Sequence, residues 1–210
     1  MFTVGPVQEN CFIVREKDVP AAVIVDPGDE PDELLGALER LNIETVEAIL
    51  ITHTHFDHVG AVAPVAKATK APVYCPALET QVLANIMDYV PWPGFGPFES
   101  YEADHTLAGG ETLELAGMSI EVTFTPGHSP GHVSYAITEH EALFSGDVLF
   151  QGSVGRVDLP GGDWPTLLAS IEQLISTYSP ETTVYPGHMG LTTLGRERAT
   201  NPFLRELAER

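Results

Sequence analysis

The stretch VEAILITHTHFDHVG, residues 46–60, decides the fold. Val46 to Thr52 is nearly unbroken apolar, as expected of a strand covered on both faces. That strand delivers His53-Thr54-His55-Phe56-Asp57-His58 to its C-terminal end. With 8 His in 210 residues, an H-x-H-x-D-H pattern arises by chance about once in 2,000 such chains. Alternation along an extended chain puts His53 and His55 on one side, where they can bind one metal together. Asp57 and His58, just past the strand, can turn toward a second metal.

The same grammar recurs downstream as an apolar strand followed by a Gly/Pro turn that presents one candidate ligand. Phe124-Thr125-Pro126-Gly127 leads to His128, Leu143-Phe144-Ser145-Gly146 to Asp147, and Val184-Tyr185-Pro186-Gly187 to His188. The glycines and prolines fit tight turns at a sheet edge. A single histidine after Pro-Gly is more often structural than a ligand. Beside the 53–58 cluster, however, these turns supply two three-residue sets and one shareable carboxylate.

Outside these segments, Ala21–Asp26 reads as a strand stopped by Pro27-Gly28. Pro31–Leu41, with Leu34, Leu35, Leu38 and Leu41, reads as a helix. Further helices are predicted over Gly60–Thr69, Pro76–Tyr89, Asp163–Thr177 and Arg196–Glu209. Further strands are predicted over Ala142–Ser145, Thr182–Tyr185 and Met118–Thr125, the last with Ile120, Val122 and Phe124 on one side. Val90–Phe98 (VPWPGFGPF) reads as a loop folded onto a surface or over a cleft. Mixed strands and helices without a clear linker predict one α/β domain over residues 1–210, with sheets covered by helices on their outer faces. His132 is assigned to local hydrogen bonding in a tight turn, and His105 and His140 to the surface. Arg156 is a candidate substrate contact, with an ordinary salt bridge as the alternative.

At 22.7 kDa the chain is within reach of one compact sandwich, and 43% hydrophobic with 19% charged residues excludes intrinsic disorder. Ten Lys+Arg against 30 Asp+Glu give a net charge of −20. Such a chain repels phosphate backbones and anionic headgroups, so neither nucleic acid nor a membrane is expected as a partner. The start of the chain lacks the basic-then-apolar pattern of a secretory signal, and no apolar run approaches a membrane span. Cys11 and Cys75 read as reduced, buried thiols, and the expected location is cytoplasmic. The oligomeric state is left open.

These motifs resemble the metallo-β-lactamase superfamily, and within it the glyoxalase II-type hydroxyacylglutathione hydrolases. The resemblance is carried by Gly5-Pro6 with Glu9-Asn10-Cys11, Asp26-Pro27-Gly28, THTHFDHVG from Thr52, TPGHSPGH from Thr125, SGDVLF from Ser145, GRVDLPGGD from Gly155, and YPGH from Tyr185. It implies an αββα sandwich of two mixed β-sheets flanked by helices. It also implies that His53, His55 and His128 hold one metal and Asp57, His58 and His188 a second, with Asp147 bridging. Asp147 as the bridge points away from antibiotic hydrolysis, as does the missing export signal.

Two cations roughly 3.5–4 Å apart can share a water and lower its pKa toward neutrality, giving a metal-bridging hydroxide at pH 7. Asp57 is the catalytic candidate, placed to coordinate its metal and to orient that water. A thiol of pKa ~8.5 departs without a strong general acid, whereas an amide nitrogen needs a proton donor. Hydrolysis of a small-molecule thioester, of the S-2-hydroxyacylglutathione kind, is therefore expected. Lactones and activated phosphodiesters are alternatives on the same site. A persulfide dioxygenase with one iron is the redox alternative, since those enzymes look similar in this motif region. Two divalent ions are expected; zinc suits the ligands, and iron or manganese would also be accepted. A binding module without turnover is disfavoured by the full set of seven ligands. In glyoxalase II enzymes a further C-terminal helical region supplies much of the glutathione contact, yet here only 22 residues follow His188. Glutathione would then find few cationic partners, with Arg156, Arg196 and Arg198 the candidates in sequence order.

Overall fold

Two six-stranded sheets organise the computed structural model, which describes residues 1–90 and 92–205. The first sheet contains β1 (Phe2–Val4), β2 (Glu9–Val14), β3 (Ala21–Val25), β4 (Thr45–Leu50), β5 (Val73–Pro76) and β6 (His105–Leu107), in that spatial order. Its first three strands are antiparallel and β3 to β6 run parallel. The parallel steps are crossed by α1 (Pro31–Arg40), by α2 (Phe56–Val59) with α3 (Val62–Thr69), and by the single turn α4 (Thr80–Leu83).

The second sheet contains β7 (Thr112–Leu115), β8 (Met118–Phe124), β9 (Val133–Ile137) and β10 (Ala142–Gly146). After the small hairpin of β11 (Leu149–Phe150) and β12 (Ser153–Val154), α5 (Trp164–Thr177) leads to β13 (Thr183–Pro186) and β14 (Thr192–Thr193). The spatial order is β14-β13-β10-β9-β8-β7, with β10 and β13 the parallel pair. α6 (Leu194–Thr200) follows β14.

Side-chain alternation explains the layering. Val23, Val25, Ala48 and Leu50 pack inward against Met118, Ile120, Val122 and Tyr135 of the facing sheet. On the outer side of the first sheet, Ile24, Ile49 and Ile51 pack with Leu34 and Leu38 of α1 and Val62 and Val65 of α3. On the outer side of the second, Leu143 and Val184 receive Leu167, Ile171 and Leu174, spaced to line one face of α5. The result is the αββα sandwich of two mixed sheets. No helix among the described residues is long and apolar enough to cross a membrane.

Several boundaries differ from the sequence expectations. The helix predicted over Pro76–Tyr89 is broken: Pro76 ends β5, α4 is one turn, and a 3₁₀ turn covers Ile86–Asp88. Asn85 leaves helical geometry at φ −141°, and the Glu79 side chain is turned inward onto other loops. The helix predicted over Gly60–Thr69 begins at Val62, and a separate helical turn that was not predicted, Phe56–Val59, carries Asp57 and His58. Phe124, grouped by alternation with Ile120 and Val122, is 37% exposed at the end of β8. The helix predicted over Arg196–Glu209 stops at Thr200, because Asn201 precedes Pro202 and is driven to an extended ψ of 121°. A 3₁₀ turn, Pro202–Leu204, follows, and residues 206–210 of that prediction lie outside the described residues.

Leu167 is fully buried where α5 meets the second sheet. Leu167→Ala is expected to cost about 2–5 kcal/mol of stability, read from the urea midpoint. A change under about 0.5 kcal/mol would show that docking of α5 does not hold that layer in place.

Candidate metal centre

All seven predicted ligands converge at one edge of the sandwich. His53 and His55 lie in the irregular segment after β4, and Asp57 and His58 on α2. His128 follows β8, Asp147 follows β10, and His188 follows β13. Their ligating atoms form two overlapping clusters, His53–His55–His128 and Asp57–His58–His188, and Asp147 lies between them.

In the first cluster, His53 Nε2, His55 Nδ1 and His128 Nε2 form a triangle with edges of 3.0, 2.8 and 3.1 Å. Hydrogen bonding cannot satisfy it, because three nitrogens cannot alternate donor and acceptor around a ring of three. The outer nitrogens decide the tautomers. The Thr52 hydroxyl donates to Asp26 Oδ2 at 2.6 Å, so it accepts from His53 Nδ1 at 3.1 Å. His128 Nδ1 donates to the Arg156 carbonyl at 2.7 Å. Neutral His53 and His128 therefore both aim bare Nε2 lone pairs at one point. Burial, reinforced by neighbouring imidazoles, holds His53 well below the usual histidine range and His55 down to about 4. An uncharged triangle of lone pairs fits a cation; nitrogens ~2.0–2.1 Å from a tetrahedral ion would lie about 3.3 Å apart, close to these edges.

The second cluster is built the same way. His58 Nδ1 donates to Asp26 Oδ2 at 3.0 Å and His188 Nδ1 to the Gln8 carbonyl at 3.2 Å. Their Nε2 atoms face carboxylates: His58 lies 3.4 Å from Asp147 Oδ1, and His188 lies 3.2 Å from Asp57 Oδ2. Asp147 Oδ2 is 3.5 Å from His128 Nε2 and 3.6 Å from His188 Nε2, so this one carboxylate reaches both clusters. Burial opposes the charged form of His58, but the Asp147 and Asp57 carboxylates outweigh it and raise its pKa well above the ordinary value. His188 is raised against burial by its contact with Asp57. The four buried side-chain atoms without a hydrogen-bond partner among the described residues are His58 Nε2, Asp147 Oδ1 and both Glu9 oxygens, all at or beside this cluster. His58 Nε2 and Asp147 Oδ1, 3.4 Å apart, are what a bound cation would satisfy, whereas Glu9 lies 3.8 Å from the opposite ring nitrogen of His58.

Several positioning residues carry no local ligand signal. Asp26 takes the Thr52 amide at 2.7 Å as well as His58, tying the end of β3 to both clusters. Asn10 donates to the carbonyls of Pro186 and Met189, at 3.0 and 2.9 Å, and so pins the turn that presents His188. Glu79 is buried and accepts from Thr54 at 2.6 Å, Ser129 at 2.7 Å and the Gly131 amide at 2.8 Å, clamping the His53–His55 segment to the His128 turn. Gly187 has no space for a side chain, since a Cβ there would lie 2.3 Å from Asp147 Oδ1 and 2.6 Å from His58 Cε1. His132 reaches beyond the local turn expected for it: its Nδ1 donates to Thr125, but its Nε2 accepts from the amide of the remote Asp147 at 3.1 Å. His140 pairs with Glu16 and His105 stacks on Tyr74, both at the surface. Cys11 and Cys75 are buried and unpaired.

A cavity of about 540 Å³ opens onto His55, Asp57, His128, Asp147 and His188. Val90 and Trp92 of the aromatic loop line it, and Phe95 and Phe98 of the same loop pack on Phe56 of α2. Arg156 lines the cavity too, but its guanidinium forks onto Asp158 at 2.6 and 2.7 Å. Neither Arg196 nor Arg198 is among its lining residues.

Protein loaded with metal is expected to hold about two ions per chain. His53→Ala should empty chiefly the first cluster, and Asp147→Ala should weaken both; unchanged metal content in His58→Ala would remove the second. The pH response should differ between the clusters. His53 and His55 are neutral near pH 7, with no second ring proton to displace, whereas the raised pKa of His58 and of His188 means that a proton must be displaced there. Between pH 7.5 and 5.5, affinity at the second cluster should therefore fall more steeply than at the first, as measured by metal titration. Parallel slopes would contradict this assignment.

The comparisons with known proteins agree with this geometry. Residues 4–188 match the metallo-β-lactamase superfamily. The chain is 33% identical over 199 residues to the hydroxyacylglutathione hydrolase GloC of Haemophilus influenzae, covering 94% of this chain and 93% of that one. It is similar to the crystal structure of the BLEG-1 B3 metallo-β-lactamase, with TM-score 0.90, 42% identity and 97% of each chain covered. It is also similar to the protein TTHA1623, solved in a di-iron-bound form, with TM-score 0.85, 44% identity, and 97% and 98% coverage. With its sandwich, its paired His/Asp clusters and this match over nearly its whole length, the chain belongs to the metallo-β-lactamase superfamily.

Proposed function

We propose that this protein is a metal-dependent hydrolase of small-molecule thioesters, working at the edge cluster with two divalent ions. The observation that carries the reading is the set of ionisable groups around the cavity. Beyond the ligands, those lining it are Asp88, Tyr89 and Arg156. Asp88 and Tyr89 are exposed, and Arg156 is engaged by Asp158. None of the three is a buried acid poised to protonate an amide nitrogen or alkoxide. A thiolate, with a conjugate pKa of ~8.5, needs no such donor. The name of the Haemophilus influenzae relative supports the same class.

His53, His55 and His128 would hold one ion and Asp57, His58 and His188 the other, with Asp147 shared. Bound there, the ions would lower the pKa of a water and polarise a substrate carbonyl. The residues of the chain do the positioning. Asp57, ionised because His58 and His188 outweigh its burial, accepts a hydrogen bond from the attacking water and sets its direction. His132 and Asp26 hold Asp147 and His58 in their orientations. Phe150, Val154 and Trp92 exclude water from one side of the cavity. The His/carboxylate set suits zinc, iron or manganese, and the di-iron relative makes iron a specific candidate beside zinc.

The test is a panel of two thioesters, S-lactoylglutathione and a neutral S-acyl-N-acetylcysteamine, together with a lactone, a nitrocefin-type β-lactam and bis(p-nitrophenyl) phosphate, with persulfide-dependent oxygen uptake measured alongside. The β-lactam is included because of the 42% identity to BLEG-1. Thioester turnover well above the rest is the expected result, and a lactone or β-lactam turned over far faster would overturn it. Asp57→Asn is expected to lower turnover per bound metal by about 10²-fold or more, beyond any loss of metal. Turnover per metal equal to the parent would take Asp57 out of the chemistry.

A further inference from the structure

The cavity in front of the ligand cluster is unevenly furnished. One wall is apolar, built from Trp92, Phe150, Val154, Leu159 and Met189. Its charged groups outside the ligand set are Asp88 and Arg156. Arg156 is the only basic residue lining the cavity among the described residues, and it is already occupied. Its Nε and Nη2 meet Asp158 Oδ1 and Oδ2 at 2.6 and 2.7 Å, an exposed two-pronged pairing that competes with a substrate carboxylate for that edge of the guanidinium. Its Cζ lies 5.8 Å from the centre of the Trp92 ring, which holds the guanidinium against the apolar wall.

A glutathione-like thiol brings two carboxylates and one ammonium on a peptide tail, a net charge of about −1 at neutral pH. The tail spans about 7–10 Å from the sulfur at ~3.3–3.6 Å per residue, which is near the screening length of ~8 Å in physiological salt. Cations at the ligand cluster therefore serve the carbonyl end and do little for the tail. Along the tail the carboxylates would meet apolar side chains, the Asp88 carboxylate, and a guanidinium already paired. The chain's net charge of −20 adds to the repulsion.

We infer that this cavity selects thioesters whose thiol half carries no negative charge, and that Asp158 is a specificity-determining residue that withholds Arg156 from anionic thiols. The inference rests on the thioester reading for its substrate class, but the preference for a neutral tail can be measured without turnover. The probes are two non-hydrolysable thioethers with the same alkyl chain, S-hexyl-N-acetylcysteamine and S-hexylglutathione. Each is titrated calorimetrically into the metal-loaded protein. The neutral thioether is expected to bind about tenfold more tightly or better. Raising the salt should strengthen binding of the glutathione thioether and leave the neutral one unchanged. Asp158→Asn should improve binding of the glutathione thioether by roughly three- to fivefold, the scale of one exposed ion pair, without altering the neutral one. Trp92→Ala should weaken the neutral one. Equal or tighter binding of S-hexylglutathione to the parent protein, weakening with salt, would overturn the inference even if thioesters are hydrolysed. Failure of every thioester in the substrate panel, with the neutral thioether still preferred, would instead overturn the reaction and leave the cavity's preference standing.

Discussion

Two imidazole nitrogens, His53 Nε2 and His128 Nε2, face each other at 3.1 Å with lone pairs forward. Each is committed to that state by a hydrogen bond on its far side, from His53 to Thr52 and from His128 to the Arg156 carbonyl. Much of the structure maintains this arrangement. Asp26 engages the Thr52 hydroxyl, and Glu79 ties the His53–His55 segment to the His128 turn. Without a cation the arrangement is costly, since an unsatisfied buried polar group costs about 1–3 kcal/mol. The centre is thus pre-organised at the expense of the metal-free fold.

The two clusters solve the same problem with different charge. In the first, burial and neighbouring imidazoles hold His53 and His55 in the neutral form. The second sets two histidines against carboxylates, and in the absence of a cation it attracts protons. Asp147 belongs to both because it hangs from the end of β10, at the centre of its sheet, where the β8 and β13 turns lie on either side. Its amide is fixed by His132, which is stacked on His53 at 5.0 Å. The two clusters are thus joined by two carboxylates, Asp147 between the ligands and Asp26 behind them, and by the His132 ring.

The acidic surface and the cavity act together on whatever approaches. A chain of −20 charge with an apolar cavity wall gives an anionic solute little to bind until it reaches the ligand cluster itself. The Arg156 guanidinium at the rim is divided between Asp158 and the Trp92 ring, while the backbone carbonyl of the same residue orients His128. Arg156 thus joins the metal centre through its main chain, a role that its side-chain chemistry does not advertise.

The ligand identities and the layered fold were legible because both depend on local pattern. Strand periodicity places a residue at a strand end, and Pro-Gly turns mark where His128 and His188 leave the sheet. Resemblance then assigned partners to these positions. Glu79 was not legible, and Asn10 was legible only as part of the resemblance and without a role, because a buried acid in an apparently helical stretch and an amide in a strand look ordinary until the elements they join are seen together. The break of the 76–89 stretch follows the same logic: helical spacing there was overridden by hydrogen bonds to Thr54 and Ser129, far away in sequence. The sequence by itself determined which residues can bind metal and which segments alternate. Only the tertiary structure decided that Asp147 reaches both clusters, which ring nitrogens are bare, and that Arg156 is held by Asp158. Those properties are distances between groups on different elements, and periodicity along one element carries no information about them.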